Sequence, residues 1–150
     1  GGAAGALPPV IGWTIATNSL SLEPITFFLI IFFWTPSHFW ALSLYKSDDY
    51  KKAKIPMLPL TNGIESTKIN ILVYSLLMLP MIILPYAIDF VGLIFLIPAL
   101  MLTLYYNFLC FELYQFKKNK FNPKKAKTIF GYSILYLFLI FVIFLIDKIL

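Results

Sequence analysis

Residues 27–45 read FFLIIFFWTPSHFWALSLY, and residues 45–54 continue YKSDDYKKAK. The first run is apolar almost throughout and nearly the 20 residues or so that a helix needs to cross a bilayer. Inside it lie a proline, Pro36, and the chain's single histidine, His38. The run gives way abruptly to lysines and aspartates, as a helix does where it leaves lipid for water. A membrane span with one buried imidazole and a charged rim is therefore the starting point.

The rest of the 150 residues agrees. The chain is 60% hydrophobic and only 13% charged, against about 25% charged in ordinary soluble domains. That leaves too little polar surface to coat a globule in water. Besides Ile25 to Leu44, three segments have the length and composition of spans: Ile69 to Ile88, Phe90 to Phe111 and Ile129 to Ile146. A weaker fifth is expected over Gly1 to Ala16, where Gly1 and Gly5 stand at GxxxG spacing beside Gly2 and Ala6. The expected fold is all-α, a polytopic bundle of about five spans. A β-barrel is excluded, because the runs do not alternate and are too long for tilted strands. Pro36, Pro80, Pro85 and Pro98 fall inside the runs. Neighbouring helices or water can satisfy the carbonyls they free, and kinks there make room for a cavity.

The net charge is +5, and all twelve basic residues are lysine. Arginine is the usual bidentate reader of bases and phosphates, so nucleic acid is not the expected partner. Lys46, Lys51, Lys52, Lys54 and Lys68 lie between the second and third spans. Lys117, Lys118, Lys120, Lys124, Lys125 and Lys127 lie between the fourth and fifth. The other connections have none, so both lysine-rich loops and the chain start are expected on the cytoplasmic side, with Lys148 outside. Cys110, the lone cysteine, reads as a small packing residue. The chain opens on GGAAGALPP without a starting Met, and we read it as a fragment.

An ionisable residue within a span is a functional candidate by default. If the helix ran on past the membrane edge, His38, Leu42, Tyr45 and Asp49 would share one face, with Lys46 alongside Asp49 and Tyr50. Asp48 and Asp49 diverge by about 100° on a helix, so one alone can face a site. Such a carboxylate can hold Mg²⁺, which usually comes with phosphate, or simply balance the loop's lysines. Trp34, Phe39 and Trp40 are candidate walls of a cavity. The following IPMLPLTNGIEST has Asn62-Gly63 as a turn, Ser66 as a candidate helix cap, and enough apolar side chains to fold over the membrane surface as a lid.

Taken together, GGAAGALPPVIGW, WTPSHFWAL, DYKKAKIPMLPL and NGIEST resemble the C-terminal half of the protohaem IX farnesyltransferases (haem O synthases). That family lies within the UbiA superfamily of intramembrane prenyltransferases. The resemblance implies a nine-helix bundle, of which residues 1–150 form the C-terminal portion of a single domain. It implies transfer of a farnesyl group from farnesyl diphosphate to a vinyl group of haem B, with Mg²⁺ as cofactor. The implied partners are those two substrates, the lipid bilayer and haem–copper oxidase assembly proteins. Its site residues map onto Lys46, Asp49 and Tyr50 as catalytic, and onto His38, Trp34, Phe39, Trp40 and Tyr45 as substrate-binding, with Asp49 the candidate metal contact. The family's stronger acidic motif belongs to the other half, and the fragment alone is expected to be inactive. Two departures stand out: Pro36-Ser37-His38 replaces the family's Pro-Pro-His, and no DxxxD surrounds Asp49, since positions 45 and 53 are Tyr and Ala. The alternative reading is a non-catalytic membrane subunit or transporter half, with His38 as a proton relay.

Overall fold

In the computed structural model, residues 1–115 and 123–150 are described; Lys117, Lys118 and Lys120 lie outside them. Eight helices follow in order, with no strand among the described residues: α1 (Gly2–Ala6), α2 (Pro8–Thr17), α3 (Leu22–Tyr45), α4 (Ser47–Lys52), α5 (Leu58–Thr61), α6 (Gly63–Ala87), α7 (Leu93–Gln115) and α8 (Pro123–Ile149). Four of them, α3, α6, α7 and α8, are long and apolar enough to cross a membrane. Each begins or ends within a few residues of the expected span.

The fifth expected span does not form as one helix. Residues 1–17 are divided at Leu7 between α1 and α2. Pro8 and Pro9 explain the break: neither has an N–H to bond back into α1, and both fit the first turn of a new helix. The GxxxG expectation also shifts by one residue. Ala6 is fully buried, and a Cβ on Gly2 would come 3.3 Å from Thr35 Cγ2. Gly2 and Ala6 thus bring α1 close to the rest of the molecule, while Gly1 and Gly5 have open space beside them.

The four long helices close a ring in which α3 packs on α6, α6 on α7, α7 on α8, and α8 back on α3; α1 and α2 lie against α3. Its core is Phe27, Ile30, Leu44, Ile71, Met78, Ile82, Phe95, Tyr106, Ile129, Tyr136 and Ile140, with Cys110 buried among them as a packing residue. Mid-helix Ile97, Met101 and Phe138 are 56%, 67% and 64% exposed. In water that much large apolar surface would drive association; facing lipid it costs nothing. This is a multi-pass membrane protein.

Several polar side chains inside the bundle find partners within it. Tyr106 donates to Ser37 Oγ at 2.9 Å, and Ser37 donates to the Trp34 carbonyl at 3.0 Å. Thr103 and Tyr136 share a hydrogen bond of 3.0 Å. Pro36 does not end α3. Hydroxyls on either side of it bond nearby carbonyls of the same helix, Thr35 to Ile31 at 2.7 Å and Ser37 to Trp34.

At the end opposite the lysine-rich connections, Asp147 of α8 reaches across to the start of α7. Its carboxylate accepts from Gly92 N at 2.9 and 3.1 Å and from Phe95 N at 3.1 Å. The first amides of a helix have no partner within it, so α8 supplies the cap that α7 lacks. Lys148 beside it donates to the Phe90 carbonyl.

Candidate functional site

The expected stripe from His38 to Asp49 is interrupted. α3 ends at Tyr45, the chain turns at Lys46 (φ −108°, ψ 25°), and α4 begins at Ser47. Asp48 and Asp49 then fall in the first turn of α4, where free amides and the helix dipole favour carboxylates. His38 and Tyr45 remain on one helix, two turns apart, about 10 Å along the axis. Asp49 belongs to the next element.

At the rim, Asp49 pairs with Lys46 at 3.2 Å, both side chains about half exposed. The hydrogen bond to Asp49 raises the Lys46 pKa above its ordinary value of 10.5. Two ammonium groups lie near the Tyr45 ring: Lys46 Nζ is 5.3 Å and Lys127 Nζ 5.5 Å from its centroid, within cation–π range. Lys127, from the first turns of α8, reads in the sequence only as a topology charge. So does Lys68, which the structure buries completely in α6 with its Nζ 2.9 Å from Glu65. Its signal is legible afterwards: it is the one lysine of its loop that directly enters an apolar run.

Below the rim, a cavity of about 710 Å³ is lined by Gly1, Gly2, Gly5, Trp34, Phe39 and Tyr50, with Ile31, Thr35, Met57 and Leu137. Trp34 and Phe39 line it from α3, and Tyr50 and Met57 enter from the α3–α6 connection. Trp40 is not part of this wall; it packs edge-on against Tyr74 at 5.1 Å. Gly63, at φ +84°, takes a backbone conformation that glycine adopts without a Cβ clash, so the Asn62-Gly63 turn stands. Ser66 is no cap, because α6 starts at Gly63.

His38 sits beside the cavity. Trp34 stacks on it at 4.3 Å and Phe130 at 4.8 Å; Phe39 meets it edge-on at 5.3 Å. Its Nδ1 is 2.6 Å from Ser133 Oγ, and Trp34 Nε1 donates to the Ser133 carbonyl at 3.0 Å. Ser133, on the last helix, is a site residue that sequence reasoning missed. A serine in an apolar span has no periodic or motif signal; only the meeting of α3 and α8 reveals it.

Among the described residues, no group of three or more His, Cys, Asp or Glu side chains converges as a metal site. The Asp49 carboxylate is already engaged by Lys46. These residues do not by themselves fit a Mg²⁺ ion.

The sequence profile of the UbiA prenyltransferase family matches residues 1–134. The chain belongs to the UbiA prenyltransferase family. Its similarity to curated proteins extends over essentially all of it. It is 96% identical over 150 residues to the protoheme IX farnesyltransferase of Pelagibacter ubique (strain HTCC1062), covering 100% of this chain and 50% of that protein. It is 47% identical over 150 residues to that of Parvibaculum lavamentivorans, covering 100% of this chain and 47% of that protein. With that of Ehrlichia ruminantium (strain Gardel) it shares 50% identity over 141 residues, covering 94% and 46%. The chain spans about half the length of the curated relatives it matches. No solved structure is significantly similar to it.

Proposed function

We propose that this chain is the C-terminal half of a protohaem IX farnesyltransferase, which transfers the farnesyl group of farnesyl diphosphate to a vinyl group of haem B to give haem O. The observation that carries the reading is the 96% identity, across the whole chain, to a protein of that name. The geometry is consistent with it. Breaking an allylic C–O bond leaves negative charge on diphosphate and a carbocation on the prenyl chain. Lys46 and Lys127, both near the Tyr45 ring, would stabilise the anion. Trp34 and Phe39 offer aromatic faces to the cation in an apolar cavity, and water is kept from capturing it early. Tyr50, on the same wall, lies between the two regions.

Mg²⁺, when bound with diphosphate, would neutralise the leaving group. The residues described here do not make a site for it, and Asp49 acts by holding Lys46. In this reading the lysine-rich loops face the cytoplasm of a bacterial inner membrane, where both amphipathic substrates are reachable. Contacts with haem–copper oxidase assembly proteins remain a proposal resting on the resemblance alone.

The test is an assay of the protein expressed from its full coding sequence, in membranes, with farnesyl diphosphate, haem B and Mg²⁺, following the haem product by mass. A product heavier than haem B by a farnesyl-derived substituent is expected. Lys46→Ala should cut turnover with expression unchanged, and residues 1–150 alone should form no product. An unmodified haem from the full-length protein refutes the reading.

A further inference from the structure

The seam between α7 and α8 carries two cavities on one line. Along α7, Pro98, Leu102, Tyr105, Leu109 and Glu112 recur at spacings of three or four, which sets them on a single helix face. Along α8, Lys125, Ile129, Tyr132, Leu139 and Ile143 recur at three, four or seven and do the same. At the lysine-rich end, a small cavity of about 190 Å³ is lined by Leu109, Glu112, Lys124, Lys125, Thr128 and Ile129. Deeper along the seam, an apolar groove of about 450 Å³ is lined by Pro98, Leu102, Tyr105, Tyr132, Leu139 and Ile143, with Met101. Tyr132 ties the two helices at the head of this groove. Its hydroxyl donates to the Leu102 carbonyl at 2.9 Å, and the Tyr105 ring meets it edge-on at 5.0 Å.

Charge and length together select an occupant. The small cavity sets two ammonium groups against one carboxylate, a formal charge of +1. Lys125 pairs with Glu112 at 3.0 Å. Thr128 directs its proton at the Lys124 carbonyl, 3.1 Å away, so the lysines supply the side-chain donors toward an anion. From Glu112 to Pro98, and from Lys125 to Leu139, the seam runs for about 21 Å at 1.5 Å per residue. A bilayer with its headgroups is about 40–45 Å thick, so one leaflet is about 20–22 Å. A cationic head above an apolar groove, one leaflet long, is the complement of a phospholipid with a negatively charged headgroup. A second copy of this chain would bring its own lysines to the same level, like charge against like.

We propose that the α7–α8 seam binds one anionic glycerophospholipid from the leaflet at the lysine-rich end, with its phosphate at Lys124 and Lys125 and an acyl chain along Tyr105, Tyr132 and Leu139. This needs only that α7 and α8 span the bilayer and does not rest on prenyl transfer. A lipid held by both helices favours the folded bundle over any state in which the two part.

The experiment is photo-crosslinking of the full-length protein in nanodiscs, using phosphatidylglycerol with a diazirine on its acyl chain. A phosphatidylcholine probe with the same acyl chain is run in parallel, and the adducts are mapped by peptide mass spectrometry. Phosphatidylglycerol adducts should concentrate on residues 98–105 and 132–143, several-fold above phosphatidylcholine. Lys124→Gln should lower that preference about fivefold. Lys125→Gln should lower it further, because it also leaves Glu112 unpaired beside the phosphate. Glu112→Gln should raise it, which a merely loosened seam would not do. Leu139→Trp, which fills the groove, should reduce seam labelling by both probes while the exposed faces of α6 keep theirs. Equal labelling by the two probes overturns the proposal, as does a preference unchanged by both lysine substitutions. A seam that neither probe labels, because another protein or a second copy covers it, overturns it as well.

Discussion

Replacing Asp147 tests how the bundle is closed at the end away from the lysine-rich connections. Its carboxylate accepts three contacts of 2.9–3.1 Å from two amides at the start of α7. Loss of a side-chain cap costs about 0.5–2 kcal/mol, and a carboxylate at a helix N-terminus adds about 0.3–1 kcal/mol through the dipole. The site is partly exposed, so the lower half of the combined range applies. Asp147→Ala should therefore cost about 1–2 kcal/mol, several-fold to more than tenfold in the folded population. Asp147→Asn keeps one acceptor oxygen and should cost about half as much. Gly92→Ala approaches the same contact from the other side, because the new Cβ would stand 3.0 Å from Asp147 Oδ1 and push the carboxylate away. The double variant should then cost little more than Asp147→Ala alone, since both remove one interaction. The assay is reversible unfolding of the full-length protein in mixed micelles, following helicity against denaturing detergent. An Asp147→Ala curve superimposed on the wild type, or strictly additive single variants, refutes the capping role.

Two further outcomes concern named contacts. Lys46 owes its raised pKa first to the hydrogen bond it donates to Asp49, so it holds its proton until the pH climbs past the ordinary lysine value of 10.5. The pairing is present below that value and is lost as pH rises through the raised one. Asp49→Asn should move the onset of Lys46 acylation, followed by mass spectrometry against pH, to lower pH, with almost no change in stability for so exposed a pair. Tyr106→Phe removes the hydrogen bond to Ser37 but leaves Ser37 its bond to the Trp34 carbonyl. With no donor orphaned, the cost should be about 0.6–1 kcal/mol in the same unfolding assay, and a loss several times larger would mean the network acts as a unit.

The four long helices were legible because lipid imposes one criterion, an apolar run of sufficient length, that local sequence satisfies by itself. The break at Leu7 was also written locally, in Pro8 and Pro9, but composition outweighed it. Rim positions were harder. Lys46 and Tyr45 are adjacent in the chain and were found, whereas Lys127 reaches Tyr45 only through the packing of α8 on α3. The His38–Asp49 stripe failed because helical periodicity says nothing about where a helix stops; carboxylates able to start a new turn stopped it. Ser133 lay beyond reach for the same reason as Lys127: its partner is fixed by tertiary contact, and a single hydroxyl in an apolar span is as often a local back-bond.

The bond between His38 and Ser133 joins side chains 95 residues apart. At synthesis rates of about 5–20 residues per second, the ribosome delivers the serine roughly 5–20 seconds after the histidine. Throughout that interval the imidazole is without its anchor. Completion of the pocket is thus tied to arrival of α8, and a nascent chain stalled before it carries an unfinished one.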